Sequence, residues 1–509
     1  MRQHIRIQYS ALSVFFLAAC LLGSGFFCPA CAAEPMKTPK YIFFFIGDGM
    51  SFPQLTALEF YRGTLEDSFT GTVANPTPDN QPRSTSLLFT TFPVLGTANT
   101  YDASKFITDS AAASTALATG FKALDGGVGV DAFNAPHPSI AHLLKKEKNY
   151  KIGIVTNVSL DHATPAGFYA HQVNRNMAYE IGLDLIKSDF DYFGGGGFRK
   201  PRGNDGKHPD LVELARNAGY RFINSTAAFV NLKPRSDQKV LAINAILETT
   251  YTSMEYKIDR KPGDLTIADY TEKGIELLMN NTGFFMMIEG GKIDWACHAN
   301  DAATVIHDMI DFEDAVAVAY DFYKKHPGDT LIVVTGDHET GGFSMGFGVT
   351  GYDTFFSVLT NQKISGSKYA ETFVRRYREE QIPFDTVLQD LEELFGLYLP
   401  ESDKAAINPR AVLLQHDVVL LHRGYLESLI PFNERPHRMS DLYAHEPLQI
   451  AVTHILNNKA GLGWTSTSHT GLPAGVYAIG AGQELFAGQY DNTEIPKKMM
   501  QLTGITLPN

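Results

Sequence analysis

The sequence predicts an α/β fold in which a large central sheet is sandwiched between helices. Short apolar runs have the length and continuity of strands that are covered on both faces. They occupy residues 41–46, 151–155, 284–288, 331–334 and 476–479. Helical patterns separate these runs, for example at 139–148, 265–280 and 301–325. Because strands that alternate with helices build layered sheets, we expect one α/β domain over residues 33–509.

Residues 345–460 follow a different pattern, and we predict that they form a helical insertion in this domain. The apolar spacing at 384–398 predicts a helix, and a further apolar run lies near 412–421. The segment separates the pair Asp337-His338 from His469. Two interpretations stay open: the insertion covers or borders the functional site, or it is a peripheral structural module.

The composition supports a folded protein and argues against one class of partner. The chain has 509 residues, of which 44% are hydrophobic and 19% charged, so it can bury a sizeable core. Its 43 basic and 56 acidic residues give a net charge of −13, which argues against binding to nucleic acid. An anionic substrate is compatible with this charge because bound metal ions can reverse the field locally.

The first 32 residues are predicted to be a signal peptide. Arg2 and Arg6 precede an apolar run at 11–27, and Ala30-Cys31-Ala32 fits a cleavage site between small residues. We therefore expect an exported protein, periplasmic or secreted, with no transmembrane helix in the mature chain. A membrane anchor and lipoprotein processing at Cys20 are the two alternatives. Cleavage would leave Cys297 as the remaining cysteine, so the mature chain can form no internal disulfide.

Ser110 is a candidate nucleophile because it is predicted to begin a helix. It follows Thr108-Asp109 and precedes an alanine-rich stretch, which Gly120 would end. The free N–H groups and the helix dipole favour an anion at such a position. The alternative is an ordinary Asp-Ser cap, because a serine attacks only when a base or a metal activates it.

Acidic and histidine residues gather at the predicted strand ends and suggest a metal site. Asp294 and His298 are four residues apart at the start of a helix, so both face one side. Carboxylates with imidazoles suit zinc, and a set of oxygen donors suits magnesium. The candidates at or near strand ends are Asp48, Glu289, Asp294, His298, Asp337, His338 and His469.

Taken together, these motifs resemble the alkaline phosphatase family. The resemblance covers about 40–345 and 460–495, in the order of the family. Its matching pieces are FFIGDGM at 44–50, TDSAA at 108–112, ATPA at 163–166, EGGKID at 289–294 with His298, TGDHETGG at 335–342, and HTG at 469–471.

The resemblance implies a fold of that family, an activity and a set of roles. Ser110 would be the nucleophile that becomes phosphorylated, and Arg175 would clamp the phosphate while Asp109 holds the guanidinium. The implied cofactors are two zinc ions and one magnesium ion. The implied ligand sets are Asp294, His298 and His469 for one zinc, Asp48, Asp337 and His338 for the other, and Asp48, Thr164 and Glu289 for magnesium.

Two further positions vary within the family, and their roles stay open. His162 would reach the magnesium through water, and Trp295 would shape the mouth of the pocket; plain packing is the alternative for both. The expected partners are small phosphate monoesters and inorganic phosphate, with a homodimer as one oligomeric state left open. Rival functions are a phosphodiesterase, sulfatase or phosphonate hydrolase of the same superfamily, or a non-catalytic protein that binds phosphate or metal.

Overall fold

A ten-stranded mixed sheet forms the centre of the protein, where the sequence predicts a large central sheet. The computed structural model describes residues 37–67, 81–235, 238–435 and 446–506. The predicted signal peptide, including Cys20, lies outside the described residues. The strands are β1 Tyr41–Gly47, β2 Val94–Asn99, β3 Lys151–Thr156, β4 Tyr192–Gly195, β5 Tyr220–Ile223, β6 Lys239–Ile243, β7 Phe284–Glu289, β8 Thr330–Gly336, β9 Glu339–Thr340, β10 Ser344–Met345, β11 Leu462–Gly463, β12 His469–Thr470, β13 Ala474–Gly480 and β14 Gly488–Asp491.

Helices cover the sheet and fill the predicted insertion. They are α1 Phe52–Asp67, α2 Ser110–Thr119, α3 Ile140–Lys148, α4 Ala163–Ala166, α5 Ala178–Lys187, α6 Leu211–Asn217, α7 Thr226–Val230, α8 Ile267–Leu278, α9 Lys292–His298, α10 Ala302–Lys325, α11 Gly366–Tyr369, α12 Arg375–Glu380, α13 Phe384–Phe395, α14 Gln415–Ser428, α15 Pro447–Ala460 and α16 Glu494–Thr503. A π-helical turn, Ala370–Val374, joins α11 to α12. No helix within the described ranges is long and apolar enough to cross a membrane.

The continuous apolar strands arise because both faces of the sheet are buried. Phe43 and Phe45 of β1 belong to one hydrophobic cluster, together with side chains of α1, α8 and α10. Phe44, one residue along, points to the opposite face and joins side chains of α2, α3, α5 and α16. Successive side chains of a strand alternate between faces, so a strand covered on both sides must be apolar throughout. The α/β prediction is therefore confirmed.

The order and direction of the strands decide which loops meet. The order is β14-β2-β13-β8-β1-β7-β3-β4-β6-β5. Strands β8, β1, β7 and β3 are parallel neighbours, so their carboxyl ends lie at one edge. Strand β13 is antiparallel to both β8 and β2, and it therefore presents its amino end at that edge.

The segment predicted to be an insertion leaves and re-enters the fold at one place. Met345 of β10 pairs with Leu462 of β11 in a two-stranded ribbon. Between them, buried residues such as Leu359, Tyr369 and Leu391 join the same hydrophobic cluster as Phe43 of β1. The segment thus packs onto one layer of the domain and shares its core.

Candidate metal centre and active site

Three groups of side chains of the kinds that bind metal ions meet at the carboxyl edge of the parallel strands. Within each group the ligand atoms lie within 4.8 Å of one another. The groups are Asp294, His338 and His469; Asp48, Asp337 and His338; and Asp48, His162 and Glu289. The second group equals one predicted zinc set. The other two contain members of the remaining predicted sets, to which His298 and Thr164 are joined by the contacts described next.

Asp48, Asp337 and His338 are brought together by the pairing of β1 with β8. Gly47 lies opposite Gly336 in the register, so the residues that follow leave the sheet side by side. The Nε2 of His338 is 3.4 Å from Oδ1 of Asp48 and 3.3 Å from Oδ2 of Asp337. All three side chains are fully buried.

Asp294, His298 and His469 form a second triangle. The two imidazole Nε2 atoms are 3.2 Å apart, and those of His298 and His469 lie 3.3 Å and 3.6 Å from carboxylate oxygens of Asp294. Two nitrogens that bind one tetrahedral zinc at 2.0–2.1 Å would be about 3.3 Å apart. The spacing of these donors therefore fits a zinc ion. Gly49 permits this arrangement, because its φ is 73° and a Cβ there would lie 2.9 Å from Cα of Asp294.

The tautomers of both histidines also suit metal binding. The Nδ1 of His298 donates to the carbonyl of Thr467 at 2.6 Å, and the Nδ1 of His469 donates to the carbonyl of Thr108 at 2.7 Å. A carbonyl only accepts, so each Nδ1 carries a proton, and Nε2 is the nitrogen of each ring that can bind a metal once it is deprotonated.

The third group, which contains Asp48, His162 and Glu289, has more oxygen than nitrogen donors. The hydroxyl of Thr164 donates to Oδ2 of Asp48 at 3.0 Å, and the hydroxyl of Thr156 donates to Glu289. Glu289 ends β7 and Thr156 ends β3, its neighbour in the sheet, where the two residues are paired. Oxygen donors of this kind suit magnesium.

Several buried ligand oxygens here have no partner of their own. Oδ1 of Asp48, Oδ2 of Asp337 and Oε1 of Glu289 accept no hydrogen bond from any described residue. Burying a carboxylate oxygen without a donor is costly, and a cation is the usual compensation. The residues present therefore fit a cluster of divalent ions.

Burial also shifts the pKa values of these carboxylates. Burial, followed by the negative charges of Asp337 and Asp294, raises the pKa of Asp48 well above its ordinary value. Burial also raises the pKa of Asp337, and it raises that of Glu289 to about 8. Without cations these acids would retain protons, so metal uptake would displace protons from the site.

Asp294 and His298 behave as an ion pair instead. Burial alone would raise the pKa of Asp294, but His298, His469 and His338 together outweigh it, His298 most strongly, and lower this pKa well below its ordinary value. Burial would lower the pKa of His298, yet the carboxylate of Asp294 raises it to about 9. A proton on this imidazole thus occupies the position that suits a cation.

Ser110 begins α2 at the centre of the site. Asp109 caps the helix, and its carboxylate accepts from the backbone N–H groups of Ala111 and Ala112. Gly120 ends the helix in the left-handed conformation, as the sequence predicts. The Oγ of Ser110 is 3.2 Å from Nε2 of His338. The residue Ser110 as a whole is only 1% exposed.

Arg175 reaches the site from a loop after α4. Its Nη1 donates to Oδ2 of Asp109 at 2.9 Å, and its Nη2 donates to Nε2 of His162 at 3.1 Å. Arginine only donates, so Nε2 of His162 accepts and Nδ1 carries the proton. Burial, followed by the charges of Arg175 and Arg199, lowers the pKa of His162 well below its ordinary value. His162 is thus a neutral side chain. Trp295 packs edge-on against it, with the two ring centroids 5.6 Å apart.

Sequence reasoning missed two residues that orient the ligands. The hydroxyl of Thr340 donates to Oδ1 of Asp294 at 2.5 Å and accepts from Nδ1 of His338 at 3.2 Å. It therefore links ligands of both predicted zinc sets. Glu339 accepts from the hydroxyl of Thr470 and so fixes the ribbon of β9 and β12, in which His469 pairs with Thr340. The spacing along the chain could have indicated Thr340, since it follows His338 by two residues in an extended segment and so faces the same side.

Comparison with known proteins identifies the family of this site. The alkaline phosphatase family model matches residues 39–505. The chain belongs to the alkaline phosphatase family. It is 30% identical over 494 residues to alkaline phosphatase 3 of Bacillus subtilis. The alignment covers 94% of this chain and 93% of the relative. It is 28% identical over 350 residues to the alkaline phosphatase of Escherichia coli. That alignment covers 59% of this chain and 70% of the relative.

Solved alkaline phosphatases share the fold. A cold-active alkaline phosphatase from a Shewanella species aligns with a TM-score of 0.71 at 28% identity, covering 91% of this chain and 99% of that one. The Thermus thermophilus alkaline phosphatase aligns with a TM-score of 0.72 at 22% identity, covering 93% of each chain. As a member of the alkaline phosphatase family, the protein is a phosphoric monoester hydrolase.

Proposed function

We propose that this alkaline phosphatase hydrolyses phosphate monoesters through a phosphoserine at Ser110, in a site that binds two zinc ions and one magnesium ion. The observation that carries the proposal is the position of Ser110. Its hydroxyl lies at the N-terminus of α2 and 3.2 Å from His338, a member of two metal-binding groups. A serine oxygen placed in this way can be both activated and aligned for attack on phosphorus.

The proposed ligand sets are those that the family resemblance implies, and one of them equals a group of side chains that meet in the structure. Asp294, His298 and His469 would hold one zinc ion, and Asp48, Asp337 and His338 the other. Asp48, Thr164 and Glu289 would hold magnesium, and the Nδ1–H of His162 would face that site through water. When bound, these ions supply the positive charge that phosphoryl transfer requires in an otherwise acidic protein.

The residues of the chain itself bind and orient the phosphate. Arg175 would offer its planar guanidinium to two non-bridging oxygens, while Asp109 fixes that group from behind. The N–H groups of Ala111 and Ala112 are taken by Asp109, but the positive end of the α2 dipole lies at Ser110 and favours an anion there. Ser110 would attack phosphorus, and its Oγ–P bond would form as the ester bond to the leaving alcohol breaks. Water would then hydrolyse the phosphoserine, releasing inorganic phosphate and restoring the hydroxyl of Ser110.

Export is part of the same proposal. Residues 1–32 would direct the chain out of the cytoplasm and be removed, with processing at Cys20 as the alternative. Mass spectrometry of the mature protein from its native host decides between the two, because lipidation adds mass to a chain that begins at Cys20.

Metal analysis combined with kinetics tests the function. Purified protein should contain zinc and magnesium near a ratio of two to one. It should hydrolyse p-nitrophenyl phosphate much faster than the bis ester. Chelation should abolish the activity, and zinc with magnesium should restore it. A faster rate on the diester, on a sulfate ester or on a phosphonate ester would contradict the proposal in favour of a rival from the same superfamily. Full activity in a verified metal-free preparation would contradict the metal mechanism.

A further inference from the structure

A cavity of about 520 Å³ lies directly beside the proposed active site. His298, His162 and Trp295 all line it, so it begins at a proposed zinc ligand and at the neighbour of Arg175. Its volume lies within the range of about 300–1,000 Å³ that is typical of small-ligand pockets. The cavity can therefore hold more of a substrate than its phosphate group.

Aromatic rings form one part of its lining. The rings of Tyr251 and Trp295 are in contact, with centroids 5.2 Å apart and planes inclined by 59°. Tyr251 is 53% exposed, so a ligand in the cavity can reach its side chain. Ala370 and Ile450, both from the segment predicted to be an insertion, add apolar surface to the lining.

The backbone next to Tyr251 has an uncommon conformation. Thr252 has a φ of 54°, in the left-handed region that β-branched residues rarely adopt. Two hydrogen bonds maintain this conformation: Gly197 N–H donates to the carbonyl of Thr252 at 2.7 Å, and Thr252 N–H donates to that of Glu248 at 3.1 Å. Strained backbone of this kind persists where the surrounding structure fixes it, often at functional sites.

Most charges in the lining are already neutralised within the protein. The pairs are Glu248 with Lys292 at 2.7 Å, Arg199 with Asp161 at 3.3 Å, and Glu446 with Arg378 at 2.9 Å. A further acid, Glu371, accepts a hydrogen bond from Thr250 at 3.0 Å. The lining thus offers rings and paired charges, which suit a neutral, planar ligand better than an ionic one.

The contacts of Ser110 and of the cavity also suit a leaving-group pocket. Ser110 contacts His338 of one proposed zinc set, whereas the cavity is lined by His298 of the other. In phosphoryl transfer the attacking and leaving oxygens are roughly in line on opposite sides of phosphorus. A leaving group expelled away from Ser110 would therefore point towards His298 and the cavity.

We propose that this cavity binds the leaving group of the phosphate ester and that its ligand class is a planar aromatic ring, packed against Trp295 and Tyr251. The inference rests on the proposed function and adds a preference to it. Phosphate monoesters of aryl or heteroaryl-bearing alcohols would bind more tightly than those of small aliphatic alcohols. Tyr251 is then a specificity residue that leaves the phosphate site unchanged.

Competitive inhibition by phosphonates tests this preference without involving the chemical step. Phenylphosphonate and methylphosphonate share the anionic group and differ in the ring, and inorganic phosphate serves as the reference. Phenylphosphonate should bind more tightly than methylphosphonate to the metal-loaded enzyme. Tyr251→Ala should reduce this preference by about 2- to 12-fold, the effect expected for one ring–ring contact. Tyr251→Phe should retain the preference, because it keeps the ring.

Tyr352→Ala is the matched control, since Tyr352 is fully exposed and does not line the cavity. Binding should also be visible by fluorescence. The chain has two tryptophans, so Trp464→Phe leaves Trp295 as the reporter, and phenylphosphonate should change its emission while methylphosphonate should not.

The inference is wrong if the two phosphonates bind equally to the wild type, or if Tyr251→Ala keeps the full preference and Trp295 emission is unresponsive. In those cases inorganic phosphate still inhibits and small esters are still hydrolysed, so the proposed function stands. Loss of phosphate inhibition and of all turnover in the loaded wild type would instead overturn both.

Discussion

The Oγ of Ser110 lies 3.2 Å from Nε2 of His338, although the two residues are 228 positions apart. One belongs to the start of a helix and the other to a loop after β8. His338 also lies within 3.4 Å of carboxylate oxygens of Asp48 and Asp337. The candidate nucleophile is therefore in direct contact with the candidate metal centre, and this relationship motivates the first prediction.

Ser110→Ala should remove the covalent route of hydrolysis. Acid quenching during turnover should trap phosphate on Ser110 of the wild type, and peptide mass spectrometry should locate it there. The variant should show no phosphopeptide and much lower turnover, because only direct attack by water is left. Ser225→Ala, which alters a serine that caps another helix, should behave as the wild type. Phosphate trapped on a different residue of the wild type would show that Ser110 is not the nucleophile.

Arg175→Ala should weaken both catalysis and inhibition by phosphate. Loss of a donor that stabilises transferring charge costs on the order of 100- to 1,000-fold in rate. Arg175→Lys should recover little of this loss, because an ammonium cannot replace the planar fork that Asp109 holds. Arg202→Ala, at an exposed arginine paired with Asp210, is the control. An unchanged kcat/KM in Arg175→Ala would place the phosphate clamp elsewhere.

Thr340→Val should loosen metal binding although Thr340 is not a proposed ligand. The substitution keeps the shape of the side chain but removes the hydroxyl that joins Asp294 to His338. Loss of such an orienting contact typically lowers metal affinity about 10- to 100-fold. Competition with a chromophoric chelator measures the zinc affinity. Thr340→Ser keeps the hydroxyl and should bind zinc as tightly as the wild type. Equal zinc affinity in Thr340→Val and the wild type would show that this hydroxyl does not orient the ligands.

Removal of the metals should destabilise the protein, increasingly so as the pH rises. The pKa of Glu289 is raised by burial to about 8, from an ordinary value of 4.5. Between these values the folded state retains a proton that the unfolded state has lost, so the free energy of unfolding falls as pH increases. Thermal unfolding of metal-free protein between pH 5 and 8 should show this decline. Protein loaded with zinc and magnesium should be more stable, because the cations replace the proton.

Glu289→Gln provides the control for that experiment. Without a titrating group at this position, the metal-free variant should lose stability less steeply with pH than the metal-free wild type. Parallel slopes in the two proteins would show that Glu289 does not titrate in this range.

Much of the fold was predictable because its signals are local. The run Tyr41–Gly47 is apolar at nearly every position because both faces of β1 are buried, and this pattern is visible without any partner strand. The start of α2 at Ser110 and its end at Gly120 follow from a capping aspartate and from a residue free to adopt positive φ. Asp48 and Asp337 could be expected at one edge because each follows a predicted strand of an α/β sheet, and the structure pairs these two strands in parallel.

The position of His469 could not be obtained in this way. It comes before β13, not after it, and it reaches the site because β13 runs antiparallel to β8 and presents its amino end there. The contacts of Thr340 with two ligands, and of Arg175 with both Asp109 and His162, likewise join distant parts of the chain. The sequence alone determined five strands of the central sheet, the chemical types of the ligands and the resemblance to a family, because these depend on neighbouring residues. The tertiary structure decided which side chains meet and that a cavity with Tyr251 in its lining opens beside them, because strand direction and packing depend on the whole chain.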